Sequence, residues 1–253
     1  MAKVEVITTC NAEQWENHGR ACVKSFVRNW PANIRMVFYR EDMADHDIPI
    51  GCLSRPFPEW FTRWKSKYSH VKDANGRDWK RNRPNKRDYD FKRDCIRFSH
   101  KVAAITDAAE KTDADFLIWM DADIVTDYPV SESWLLDLFP QPAFIAWLDR
   151  SRNYPECGFF MLNMKHLGAR QFISRLRDIY ESGTVFDLPQ THDSFVIEFI
   201  AARMVKAFTI ESPVSLSGDA RSSSDPFSFS PLAEKMQHLK GRKKFEKRKY
   251  PNG

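Results

Sequence analysis

Two aspartates spaced i and i+2, Asp121 and Asp123, close a short apolar run from Phe116 to Met120. The run reads as a buried strand, and side chains alternate along an extended chain, so both carboxylates project to the same side. Ala122 between them leaves room for a ligand. Paired carboxylates at the mouth of a buried strand repel each other unless a cation lies there. Magnesium and manganese prefer such oxygens and often keep substrate phosphates as further ligands. Asp-x-Asp also occurs in solvated turns, and the apolar strand before it is what favours a metal. Near the other end stands Gln237-His238-Leu239-Lys240-Gly241-Arg242-Lys243-Lys244. The His238 imidazole offers a metal ligand, Gly241 lets the backbone approach a diphosphate, and the late lysine neutralises it. The competing reading is a basic tail with a lone histidine.

The elements that must carry these residues follow from periodicity. Val4–Thr9 reads as a first buried strand ending in Thr8 and Thr9, which either cap the next helix or line a ligand cleft. Ala12–Trp30 carries Trp15, Cys22, Phe26 and Trp30 at near-helical spacing until Pro31 stops it. Ile34–Tyr39 is a second strand, followed by Arg40-Glu41-Asp42, where an acid such as Asp42 can meet a ribose. This β-α-β opening predicts an α/β chain with a mostly parallel sheet flanked by helices. No glycine-rich loop precedes the first helix, so the dinucleotide fingerprint is excluded.

From Ile48 to Tyr89 the regular pattern lapses, and residues 49–89 read as an insertion in a single domain spanning 1–253. Trp60, Phe61, Trp64, Tyr68 and Trp79 are interleaved there with lysines and arginines. Such a mixture suits nucleic acid, with cations on phosphates and rings on bases; the alternative is a solvated loop with its aromatics packed underneath. Tyr89–Lys111 reads as a helix with Phe91, Cys95, Phe98, Val102, Ile105 and Ala109 inward. Arg93, Arg97 and Lys101 form a neighbouring stripe, either solvated or leaning over the cleft beside the Asp pair. Ser131 caps a helix through Leu138, Ala143–Leu148 and Phe159–Asn163 read as strands, and Lys165–Ser182 as a helix stopped by Gly183. His192-Asp193-Ser194 opens the helix Phe195–Val205, where Asp193 is a cap candidate. Phe208–Glu211 reads as a last strand, and Ser212–Pro231 as a mobile serine-rich loop, the start of a 212–253 segment expected to close the site.

The five cysteines are scattered without a C-x-x-C pair, which predicts reduced thiols and argues against a zinc cluster or a disulfide frame. No apolar run is long enough to span a membrane, and the N-terminus lacks the zones of a signal peptide, so a cytoplasmic location is expected, the host's if the chain is viral. The net charge of +5 is unevenly placed: residues 63–101 hold fourteen Lys/Arg against five Asp/Glu, and Lys240–Lys249 holds seven against Glu246 alone. Two basic concentrations point to polyanionic partners.

In order, the β-α-β opening, the strand ending Asp-x-Asp, the Glu156-x-Gly158-Phe159 strand, the Asp193-led helix and the His238-x-x-Gly241-x-x-Lys244 motif resemble the GT-A fold glycosyltransferases, especially the glycogenin-like and bacterial galactosyltransferase group. The resemblance covers most of the chain except 49–89. It implies a hexosyl- or pentosyltransferase using a nucleoside diphosphate sugar, expected to be a UDP-sugar, with Mn2+ or Mg2+. It implies Asp121, Asp123 and His238 as metal ligands, with Asp121 also meeting sugar or ribose. Gly241 and Lys244, with Lys243 the near competitor, then meet the diphosphate. Thr8, Thr9, Asp42, Arg93 and Arg97 complete the donor-side candidates. Asp193 and Glu156 are the candidate catalytic carboxylates, although this chain has Asp193-Ser194 where the family commonly has Asp-Gln. Whether the anomer inverts or is retained stays open. The expected acceptor is a hydroxymethylated pyrimidine in bacteriophage DNA, held through 60–101 and 240–249. The alternatives are a glycan or lipopolysaccharide core, a nucleotidyltransferase, and a non-enzymatic nucleic-acid-binding α/β protein.

Overall fold

The computed structural model describes residues 2–44, 48, 51–77, 89–139, 142–208 and 210–240. The strands are β1 (Val4–Cys10), β2 (Arg35–Arg40), β3 (Cys52–Pro56), β4 (Phe116–Met120), β5 (Ile124–Thr126), β6 (Ile145–Leu148), β7 (Glu156–Asn163), β8 (Val214–Ser215) and β9 (Met236–His238). The α-helices are α1 (Ala12–Gln14), α2 (Arg20–Asn29), α3 (Glu59–Tyr68), α4 (Cys95–Lys111), α5 (Glu132–Asp137), α6 (Leu167–Glu181) and α7 (Asp193–Phe208). A seven-stranded sheet runs β3-β2-β1-β4-β7-β6-β8. β3, β2, β1 and β4 are mutually parallel, β7 is antiparallel to both neighbours, and β8 is parallel to β6. β5 and β9 form a separate antiparallel pair.

Alternation along each strand divides the core between two faces. Ile7, Val37, Leu117 and Trp119 join α3, α4, α6 and α7 on one face. Val6, Met36, Phe38, Ile118 and Met120 join α2, α5 and the segment from Leu216 to Met236 on the other. Strands covered on both sides must be apolar at consecutive positions, which is why Phe116–Met120 is a continuous apolar run. Among the described residues no helix is long and apolar enough to cross a membrane.

Several expectations change. The 49–89 stretch contains a sheet strand, β3, and a helix, α3, whose Trp60, Phe61 and Trp64 are 7%, 2% and 4% exposed. These rings pack inward because three apolar side chains at helical spacing form a face that α4 and α6 cover. They are therefore not surfaces on which bases could stack; Trp79 lies outside the described residues. α4 begins at Cys95, not Tyr89, because the Asp94 side chain accepts a hydrogen bond from the Arg97 amide and caps it. Phe91, ahead of that cap in a 3-10 turn, is half exposed and leaves the apolar stripe. Phe208 ends α7 instead of starting a strand, and the edge strand is β8. The serine-rich stretch is a series of 3-10 turns anchored by buried Leu216, Phe227 and Leu232. Elsewhere Ser131 caps α5 as expected, and Gly183, with φ of 83°, occupies the left-handed conformation after α6.

The inward packing of α3 has a measurable consequence. Trp64→Ala is expected to lower stability in urea denaturation by about 3–5 kcal/mol. A loss under about 1 kcal/mol, usual for surface positions, would place the ring outside the core.

Candidate active site

Asp121 and Asp123 follow β4, and the chain turns at once into β5. Asp121 accepts the Trp119 indole N–H at 2.7 Å through Oδ1, while its own amide donates to Gly158 O at 2.7 Å. β5 is fixed from below by α2 and its C-terminal residue: the Asn29 side chain donates to Thr126 O, the Trp30 indole to Thr126 Oγ1, and the Thr126 amide to Ser25 Oγ. β9 pairs with this anchored strand, with Ile124 opposite His238, and the Leu239 amide donates to Asp123 O at 2.8 Å. That pairing carries the histidine across more than a hundred residues to the Asp pair. His238 Nε2 lies 2.9 Å from Asp123 Oδ1. One ligating atom each from Asp121, Asp123 and His238 lie within 4.8 Å of one another.

Gly158 makes this approach feasible. A Cβ at that position would sit 2.6 Å from His238 Cε1, so any side chain there would displace the imidazole. The glycine of the Glu156-x-Gly158 strand is thus explained by packing against a residue eighty positions later.

The charge balance centres on Lys101. Its buried ammonium lies 3.0 Å from Asp121 Oδ1, donates to Cys157 O at 2.9 Å and forms a hydrogen-bonded ion pair with Asp193 Oδ2. Burial opposes its charge, but Asp121 and Asp193 outweigh burial and hold the ammonium above its ordinary range. For Asp193 burial likewise favours the neutral form, but Lys101 overrides it and holds the carboxyl below its usual range. Burial, with Asp123 adding to it, pushes Asp121 up despite Lys101. Three carboxylates therefore meet one ammonium group and an imidazole. The donor set, two carboxylates and an imidazole, suits a hard or borderline divalent cation, and ligands of one such ion at about 2.1 Å lie roughly 3–4 Å apart. The ligating atoms of the three residues, all within 4.8 Å of one another, are close to that spacing.

The other candidates fall in different places. Thr9 and Glu41 sit at the C-terminal ends of β1 and β2. Thr9 Oγ1 donates to Tyr39 O at 2.7 Å and lies 3.3 Å from Glu41 Oε1. Thr8 points the other way and is fully buried. Asp42 is exposed and accepts the Ala12 amide, so it ties the start of α1, whose cap is Asn11. Its neighbour Glu41 instead lines a cavity of about 490 Å³ with Arg40, Phe57, Phe61, Lys65 and Ser69. Burial pushes the Glu41 carboxyl up to about 7, and burial with Lys65 lowers the adjacent His100 to about 4. Arg93 is half-buried, and the exposed Arg97 lies over the Phe98 ring. Glu156 is bound to Lys240 at 2.5 Å. Gly241, Lys243 and Lys244 lie outside the described residues.

Glu41 has no role in the sequence reading, and Lys101 appears there only in a stripe with Arg93 and Arg97, either solvated or leaning over the cleft beside the Asp pair; for Lys101 the second holds. Lys101 had a signal: it stands between Phe98 and Ile105 at helical spacing, beside the apolar stripe, where a lysine must find an acid. Glu41 had only its adjacency to Asp42, and side-chain alternation at a strand end decides which of two neighbouring acids turns inward.

Protein-family models and curated proteins yield no match. Among solved structures, the chain is similar to mouse xyloside xylosyltransferase 1 in its apo form, at 10% identity over 90% of this chain and 93% of that one, with a TM-score of 0.49. It is similar to the apo glycosyltransferase GlyE of Streptococcus pneumoniae TIGR4, at 12% identity over 85% of this chain and 46% of that one, with a TM-score of 0.48. It is also similar to the galactosyltransferase LgtC in complex with donor and acceptor sugar analogues, at 12% identity over 77% and 70%, with a TM-score of 0.42. The chain spans under half the length of the pneumococcal protein.

Lys101→Met leaves Asp121 and Asp193 without their shared partner. It is expected to cost about 3–5 kcal/mol at neutral pH in chemical denaturation, as removal of one member of a buried ion pair does. An unchanged midpoint would show that the ammonium does not bridge the two acids.

Proposed function

We propose that this chain is a metal-dependent glycosyltransferase that moves a sugar from a nucleoside diphosphate sugar, a UDP-sugar in the first instance, to a hydroxyl acceptor. The observation that carries the reading is the meeting of Asp121, Asp123 and His238, drawn from the middle and the far end of the described chain. Breaking the bond between the anomeric carbon and the diphosphate leaves new negative charge on the leaving group. A manganese or magnesium ion held by Asp121, Asp123 and His238 would neutralise that charge. Lys101 bridges Asp121 and Asp193, the second at the head of α7. We assign the nucleoside end of the donor to the cavity between the ends of β2 and β3 and α3, where Glu41 and Lys65 supply polar contacts and the half-buried Phe57 an apolar one. The parallel register, Ile7 beside Trp119 and Thr9 beside Tyr39, aligns those strand ends with the end of β4, so one extended donor can reach from cavity to triad.

We read Asp193, at the head of α7 and paired with Lys101, as the acceptor-side carboxylate. If it takes the acceptor hydroxyl proton while that oxygen attacks opposite the leaving group, the anomer inverts; attack from the leaving-group side retains it. For the acceptor, a nucleic acid keeps the basic residues as its support but loses Trp60, Phe61 and Trp64 as stacking partners. A glycan hydroxyl requires neither, and DNA binding that is absent at low salt would leave the glycan as the acceptor class.

Incubation with a panel of nucleotide sugars and manganese is expected to release nucleoside diphosphate slowly, and chelation to stop it. Asp123→Ala and His238→Ala are each expected to lower that release by about 100-fold or more. Near-normal rates in either variant would remove the metal assignment, and diphosphate released from a nucleoside triphosphate and a sugar 1-phosphate, with no nucleoside diphosphate released from nucleotide sugars, would identify a nucleotidyltransferase.

A further inference from the structure

His238 presents two different edges. Nε2 faces Asp123 at 2.9 Å, on the side of the triad. Nδ1 is buried and makes no hydrogen bond among the described residues, and the Glu156 carboxylate faces it with Oε1 at 3.9 Å. The ring between them is confined by Gly158 and by the Phe227 ring, whose centroid is 5.4 Å away. Glu156 is itself fixed. Its Oε2 accepts from Lys240 Nζ at 2.5 Å and lies 3.9 Å from Arg150 Nη1, while Lys240 also reaches Asp225 Oδ1 at 3.2 Å.

We propose that Glu156 is a positioning residue for His238: its carboxylate, clamped by Lys240, accepts a hydrogen bond from Nδ1–H, fixes the tautomer and holds Nε2 toward Asp121 and Asp123. This deepens the proposed function and rests on its metal reading. A ring nitrogen that binds a cation carries no proton, so the other nitrogen must carry it and needs an acceptor. At Nδ1 the acceptor on hand is Glu156 Oε1, and a shift of about 1 Å brings 3.9 Å into hydrogen-bond range. The same carboxylate, through Lys240, ties the end of β9 to the start of β7. One group therefore sets both the orientation of the imidazole and the docking of the strand that delivers it. Glu156 does not touch the triad's carboxylates in this arrangement; it acts through His238.

The test uses the full chain and Mn2+ alone, titrated by electron paramagnetic resonance of the free ion. Glu156→Ala is expected to weaken Mn2+ binding by about 10- to 100-fold, and Glu156→Gln, whose amide oxygen still accepts an N–H, by under about 10-fold. In the metal-free protein, where no ion fixes the tautomer, 15N resonances of His238 are expected to show a larger share of the Nδ1–H tautomer in the unaltered chain than in Glu156→Ala, a difference that a purely structural role would not produce. Equal Mn2+ affinity or an unchanged tautomer in Glu156→Ala overturns the proposal while leaving the metal site standing. No Mn2+ binding by the unaltered chain overturns the metal reading and this inference with it. Should Glu156→Ala fail to fold, Lys240→Met frees the carboxylate from its clamp and is expected to weaken Mn2+ binding about threefold; unchanged affinity there overturns the proposal equally.

Discussion

The structure is arranged around the cost of placing several carboxylates together at the covered C-terminal end of a central strand. Asp121, Asp123 and Asp193 converge there, the last two buried and the first partly so. Isolated buried charges of this kind are strongly unfavourable, so compensation must be built in. Lys101 supplies it from α4, reaching two of the three acids and a backbone carbonyl from a single buried nitrogen. The third acid, Asp123, meets the imidazole of His238 instead. One ammonium cannot balance three carboxylates, and a site left short of positive charge attracts a cation.

The surrounding elements hold that arrangement rigid. α2 and Trp30 bond β5 through Ser25, Asn29 and the indole, β5 pairs with β9, and β9 delivers His238. On the opposite side β7 contributes Gly158, whose missing side chain is the space the imidazole fills. A second set of charges, Glu156, Lys240 and Asp225, lies behind the histidine. The centre thus has two layers of charge, an inner one of the acids, Lys101 and the imidazole and an outer one of paired charges behind it, the arrangement that the proposed metal site calls for.

Much of this was legible in the sequence because it depends on local rules. A continuous apolar run marks a strand buried on both faces, so β4 and its terminal Asp pair were readable. The cap at Ser131 and the left-handed Gly183 reflect local hydrogen bonds and backbone sterics. Boundaries set by longer-range packing were harder. β3 and α3 were hidden by prolines and lysines; their apolar faces are short, and only contact with α4 and α6 shows which side is inside. The 3-10 turns from Gly218 to Glu234 have no period to read, and the burial of Phe227 and Leu232 holds them.

By itself the sequence determined the parallel α/β opening, the position of Asp121 and Asp123 at a strand's mouth, and the late histidine as a candidate ligand, because periodicity and residue chemistry are properties of short stretches. Tertiary structure alone decided that His238 reaches Asp123, that Gly158 must lack a side chain, that Lys101 is buried between two acids and that Glu41, not Asp42, faces the cavity. Each of these is a distance between residues far apart in the chain, or the direction of a side chain at a strand end. Such quantities are fixed only when strands pair in register and helices press onto them.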